Sequence, residues 1–128
     1  MIIVVEGCDG GGKTTLARLL AEKYGLKYRH EGPPPRHYPP LEHYGALLES
    51  HRWAIKRGEI KGVVFDRLAL GERVYGPIYR SEERLSSPEW RLFRRMLTAG
   101  DATHIICRPT FDVCLANWSA RKERRNQD

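Results

Sequence analysis

Ile2-Ile3-Val4-Val5-Glu6-Gly7-Cys8-Asp9-Gly10-Gly11-Gly12-Lys13-Thr14-Thr15 is the stretch on which the reading of this chain turns. The run Ile2 to Val5 is continuous and β-branched, which predicts a strand buried on both faces of a parallel sheet. Gly7 to Thr14 fits G-x-x-x-x-G-K-[ST], a loop whose backbone N–H groups can wrap a phosphate. From Lys13 to Tyr24 the residues Leu16, Leu19 and Leu20 keep helical spacing, and Gly25 stands where a C-terminal cap belongs. Strand, glycine loop and helix follow in the order the motif requires. By chance the motif alone would arise on the order of once in a hundred chains of this length.

Working outward, Leu26 to His30 predicts a short second strand, and Glu31 to Pro40 holds five prolines in ten residues and reads as a loop. Leu41, Tyr44, Leu47, Leu48 and Ile55 recur at helical spacing up to Gly58. Val63-Val64-Phe65 then forms a third buried strand closing on Asp66-Arg67. Residues 71–86 read as loop with a helical turn near Glu72 to Tyr75. Ser87-Pro88-Glu89 predicts a helix start with Ser87 as N-cap and Pro88 first in the helix, followed by an apolar face of Trp90, Phe93 and Leu97. Thr103 to Cys107 is the fourth strand. Phe111, Leu115 and Trp118 mark a last helix running into Arg121-Lys122-Glu123-Arg124-Arg125.

Strands alternating with helices predict right-handed crossovers and a three-layer α/β fold, with about four strands of parallel sheet visible and a fifth missing. Ligands of such sheets bind at the carboxyl ends of the strands, where Glu6, Asp66 and Arg108 all fall. The 128 residues fit a single domain, 1–128, with 109–128 leading into a basic, lid-like segment. Lysine and arginine number 22 against 16 acids, a net charge of +6, which favours an anionic partner without naming it. With 41% hydrophobic and 30% charged residues, the composition fits neither a membrane span nor a disordered chain. No secretory signal is visible at Met1, so a cytoplasmic location is expected. Cys8, Cys107 and Cys114 are an odd set without metal or disulfide spacing and are read as free thiols. The five histidines show no ligand spacing, and Trp53, Trp90 and Trp118 are read as core or half-buried.

In the loop, Gly7, Gly10, Gly11 and Gly12 let the chain curl around phosphates; Lys13 would reach the β- and γ-phosphates, and Thr14 would hold Mg²⁺ through its hydroxyl. Asp66 is placed as a second Mg²⁺-ordering group, and Arg67 can fork onto a phosphate.

These residues carry a family resemblance. Val5 to Thr15 resembles the E-G-x-D-G-[SA]-G-K-[ST]-[ST] loop of thymidylate kinases, and Phe65-Asp66-Arg67 resembles their D-R-[YFH] strand end. Arg29-His30-Glu31-Gly32-Pro33 is similar to a degraded R-E-P-G-G segment, and Lys56-Arg57-Gly58 precedes the third strand as in their R-G-x-x-V-x-x-D-R run. The resemblance covers residues 1 to about 125. It implies transfer of the γ-phosphoryl group of ATP to a nucleoside 5′-monophosphate, with Mg²⁺ as cofactor. Carried over, Asp9 contacts the acceptor sugar, Thr15 the α-phosphate, Arg67 the acceptor phosphate, and Tyr75 faces the sugar. Catalytic roles are thereby expected of Lys13, Asp9, Arg67 and Asp66.

The chain departs from that pattern at several points. Gly10 stands where some members have an arginine, so Arg121, Arg124 and Arg125 are expected to bring that charge to ATP from the lid. Arg52 is the candidate for base contact, although the base-reading helix aligns only with a gap. Relatives continue beyond the lid with two helices and a fifth strand, so an unusually short member or a piece of a longer chain is expected. The expected partners are ATP and a nucleotide acceptor, with no membrane; nucleic acid is not favoured, and a homodimer is left open. A kinase of a nucleoside or polynucleotide 5′-hydroxyl is the alternative, with Asp9 or Asp66 as the base it would need. A non-catalytic nucleotide-binding module is the other. A GTPase is disfavoured because no N-K-x-D signature occurs, and a motor ATPase because Arg67 takes the place of its second acid.

Overall fold

The β-branched run at the start of the chain forms β1 (Ile2–Gly7), in which Ile2 to Glu6 are all buried. The computed structural model describes residues 1–7, 12–32, 34, 37–70, 85–113, 115–117 and 119–120. The remaining elements are α1 (Lys13–Tyr24), β2 (Lys27–His30), α2 (Pro40–Lys56), β3 (Val63–Asp66), α3 (Ser87–Ala99) and β4 (Thr103–Cys107), with helical backbone again over the described part of 111–120.

The four strands make one parallel sheet in the order β2-β3-β1-β4. The central pair, β1 and β3, is buried from Ile2 to Glu6 and from Val63 to Asp66, whereas β2 and β4, the edge strands, are half-buried to exposed. Side-chain alternation sorts the core into two faces. Ile2, Val4, Val63 and Phe65 pack under α2 and α3 with Tyr44, Leu48, Phe93 and Leu97. Ile3, Val5 and Val64 pack under α1 with Ala17 and Ala21. Burying each large apolar side chain contributes roughly 1.5–3 kcal/mol, so the two faces together fix which way the strands point.

Order and connectivity single out one crevice. The chain leaves β1 through α1 toward β2 on one side, and leaves β3 through α3 toward β4 on the other, although β1 and β3 are neighbours. Connections that diverge from adjacent strands open a gap at their carboxyl ends, the place where open α/β sheets bind ligands. β1 ends there at Gly7, the first residue of the glycine motif, and Asp66 ends β3 there.

Local details correct three expectations. The inward line of α1 is Lys13, Ala17 and Ala21, spaced by four, with Leu16 and Leu20 on its flanks; Leu19 is 58% exposed. The alanines let α1 approach the sheet closely, which a leucine line would not. The cap of α3 is Ser86 and not Ser87: the Ser86 hydroxyl accepts the Glu89 N–H, and the Glu89 carboxylate accepts the Ser86 N–H at 3.1 Å, a complete capping box. Trp53 is exposed, its ring under the Lys56 ammonium, whereas Trp90 is half-buried beside Phe93. Gly25, by contrast, closes α1 in the left-handed conformation expected of it.

Cys107, half-buried at the end of β4, forms no disulfide among the described residues. No helix among the described residues is long and apolar enough to cross a membrane.

Candidate active site

Two glycines shape the entrance to the site. A Cβ on Gly7 would stand 2.7 Å from the carbonyl oxygen of Cys107, so β1 can lie this close to the end of β4 only without a side chain. Gly12 has φ +79°, a left-handed conformation that glycine adopts at little cost, and it turns the chain into α1 as that helix's N-cap. The first turn of α1, with its unsatisfied N–H groups and positive dipole end, therefore faces the crevice. Lys13 is buried there at 5% exposure, Thr14 is half-buried beside it, and Thr15 is exposed.

Across the crevice, Asp66 is fully buried. It stands on the α1 face of the sheet, two residues after Val64. Thr14 Oγ1 donates to Asp66 Oδ2 at 2.7 Å, joining the phosphate loop to the end of β3. Tyr28 Oη donates to the same oxygen at 2.6 Å, and His30 Nδ1 lies 3.3 Å from it. Both come from β2, whose register sets Tyr28 beside Val64 and His30 beside Asp66. Burial by itself would raise the Asp66 pKa, but the bonds from Tyr28, Thr14 and His30 outweigh it and hold the carboxyl below its usual range. The other oxygen, Oδ1, is buried without a hydrogen-bond partner. A buried ionised oxygen left bare is costly, and at a loop of this kind it fits a cation or a water held by one.

Arg67 follows with φ +75°, in the left-handed region that non-glycine residues seldom occupy. Two bonds impose that turn. The Arg67 N–H donates to the Val5 carbonyl at 2.9 Å, and the Leu68 N–H donates to Glu6 Oε1 at 2.6 Å. Glu6 is 2% exposed and lies on the α2 side of the sheet, opposite to Asp66. Beyond β2, Arg29 pairs with Glu31 at 2.8 Å, and the Glu31 N–H donates to the Asp66 carbonyl at 3.2 Å, tying the start of the proline loop to β3.

Of the residues expected from sequence, the structure gathers Gly7, Gly12, Lys13, Thr14, Asp66 and Arg67 at one crevice. Arg52 is elsewhere: its guanidinium donates to the Met96 carbonyl and lies against Gly100 at the C-terminal end of α3, by the edge where strands begin. The resemblance aligned the base-reading helix only with a gap, which left the position of this residue along α2 undetermined. Asp9, Gly10, Gly11, Tyr75, Arg121, Arg124 and Arg125 lie outside the described residues, as do Cys8, Cys114 and Trp118. Sequence reasoning missed Tyr28, His30 and the Glu6–Leu68 bond. Only the pairing of β2 with β3 brings the first two to Asp66.

The sheet order, the loop and the strand-end aspartate define the three-layer α/β fold of P-loop kinases. Among solved structures, YorR from Bacillus subtilis, in complex with phosphorylated GDP, superposes with a TM-score of 0.73 at 17% identity, over 94% of this chain and 67% of that one. Deoxyadenosine kinase from M. mycoides, with dCMP and dCDP bound, gives a TM-score of 0.49 at 16% identity, over 94% of this chain and 71% of that one. Thymidylate kinase from Ehrlichia chaffeensis gives 0.42 at 18% identity, over 95% and 97%. No model of a known family matches the chain, and no curated protein does.

Proposed function

We propose that this chain is an ATP-dependent phosphotransferase that converts a nucleoside 5′-monophosphate to the diphosphate. The observation that carries the reading is the 2.7 Å bond between Thr14 and Asp66 across the switch point of the sheet, with Lys13 buried beside it. That arrangement presents a helix N-terminus, a lysine and a strand-end carboxylate to one anionic ligand. YorR, of the same fold, holds a guanine nucleotide, which supports a nucleotide as the ligand class.

In this reading Gly7, Gly10, Gly11 and Gly12 form the cradle, Lys13 reaches the β- and γ-phosphates, and Thr15 contacts the α-phosphate. Thr14 and Asp66 would hold Mg²⁺, which would supply charge neutralisation on the transferring group. No group of three His, Cys, Asp or Glu side chains that could hold a metal stands together among the described residues, so most ligands would come from phosphates and water, as is usual for Mg²⁺. Arg67, just past the end of β3, meets the acceptor phosphate. Asp9 and Tyr75 contact the acceptor sugar, while Arg121, Arg124 and Arg125 close from a lid formed by 109–128. Phosphoryl transfer through a loose transition state depends mainly on such positioning and neutralisation, and a phosphate oxygen needs no strong base.

The alternative, transfer to a 5′-hydroxyl, needs a general base. Asp66 is poorly suited: it is buried, its charged form is held by donors, and its pKa lies below the ordinary range. Radiolabelled ATP with a panel of monophosphates, nucleosides and 5′-hydroxyl oligonucleotides tests the reading. Labelled diphosphate is the expected product; labelled oligonucleotide or nucleoside with unreacted monophosphates would overturn it.

A further inference from the structure

Three donors converge on one oxygen of Asp66. Thr14 Oγ1 stands at 2.7 Å, Tyr28 Oη at 2.6 Å and His30 Nδ1 at 3.3 Å, all on Oδ2, while Oδ1 has none. A carboxylate oxygen offers about two lone-pair directions, so Oδ2 is filled and Oδ1 keeps its own. The terminal torsion of an aspartate is soft and nearly two-fold, and nothing intrinsic to the side chain selects which oxygen faces the crevice. Donors arriving from both α1 and β2 make that selection.

Tyr28 is the most firmly held of the three. Its hydroxyl makes the shortest bond, its ring lies 5.1 Å below the Arg18 guanidinium, and it packs against the cluster under α1. His30 is half exposed, and its contact is the longest. Thr14 is already assigned to the cation, and its hydroxyl must serve both. We infer that Tyr28 is the positioning residue of the site, fixing Asp66 so that Oδ1 alone is offered to the Mg²⁺ of a bound nucleoside triphosphate. This rests on the reading of Thr14 and Asp66 as the metal pair.

Partners that orient a metal-binding carboxylate typically change metal affinity by about tenfold or more when removed. Tyr28→Phe removes the hydroxyl and keeps the ring under Arg18. Binding of ATP is measured calorimetrically in EDTA and again with Mg²⁺, for the wild type, Tyr28→Phe, Asp66→Asn and the double variant. The gain in ATP affinity on adding Mg²⁺ should fall about tenfold in Tyr28→Phe, with affinity in EDTA unchanged. On the Asp66→Asn background the tyrosine substitution should add nothing, because its effect passes through the carboxylate.

A Tyr28→Phe variant with the full Mg²⁺ gain overturns the inference, as does one that loses affinity equally with and without the metal. If the wild type itself gains nothing from Mg²⁺, the metal-pair reading fails and the inference with it. A wild-type gain that Tyr28→Phe leaves intact removes the inference alone.

Discussion

The carboxylate of Glu6 accepts the Leu68 N–H at 2.6 Å, so the last acid of β1 sets the backbone just past β3. Glu6→Gln keeps an acceptor oxygen in place, and Glu6→Ala leaves a buried N–H unpaired. Losing such a partner costs roughly 1–3 kcal/mol. Urea denaturation should therefore find Glu6→Ala less stable than Glu6→Gln by about that amount. Equal stabilities would show that Glu6 does not hold this turn.

Lys13 lies at the head of α1, where a phosphate is expected. Lys13→Ala should reduce phosphoryl transfer by about a hundredfold or more, the scale of losing one donor to a transition-state anion. Far-ultraviolet circular dichroism should be unchanged, since the α1 line retains Ala17 and Ala21. Retained turnover would refute the phosphate-loop assignment; retained nucleotide binding without wild-type turnover would mark a non-catalytic module.

Stability should fall on acidification in two windows. Burial lowers the pKa of His51 and of His104, so each is neutral in the folded state and takes up a proton more readily when unfolded. Their contribution is present above the unfolded value near 6.5 and is lost as pH drops toward the lower folded values. Asp66 likewise has a lowered pKa, so its contribution is present above the ordinary carboxylate range and fades only in acid. His104 Nε2 is buried without a partner, and His104→Leu should raise the melting temperature, more at pH 5.5 than at pH 8. A shift of the same size at both pH values would count against titration at this site.

Gly7→Ala introduces a Cβ 2.7 Å from the Cys107 carbonyl, and the obstacle is backbone. Accommodating it must spread β1 from β4, where five residue pairs are in register from Ile3–Thr103 to Gly7–Cys107. Overpacking of this kind costs typically 1–3 kcal/mol. Thermal unfolding should show the loss, and nucleotide affinity should fall with it. A variant as stable as the wild type would mean that the strand ends can separate freely.

Motif and burial made half of the site legible in advance. The run Ile2 to Val5, the spaced glycines and the apolar Val63 to Phe65 each carry a local signal, and they place Lys13 and Thr14 at the head of α1 and Asp66 and Arg67 at the end of β3. What stayed hidden depends on pairing between distant segments. Tyr28 and His30 become site residues only because β2 lies beside β3, and nothing within Lys27 to His30 names its neighbour. Arg52 shows a different shortfall: the base-reading helix of the resemblance aligns here only with a gap, and the Arg52 side chain goes to the Met96 carbonyl. Ser86 could have been found: its spacing to Glu89 is that of a capping box, but Ser87 beside Pro88 drew the boundary one residue late.

The positive φ of Arg67 sets stability against chemistry at a single position. A left-handed backbone costs an L-residue about 1–2 kcal/mol, against the roughly 0.5–1 kcal/mol that glycine loses through its greater freedom in the unfolded chain. On backbone terms alone Arg67→Gly is therefore favoured, so any fall in the unfolding midpoint of that variant measures the contacts that the arginine side chain makes. Glycine would thus suit this backbone better, and what an arginine brings to the position lies in its side chain.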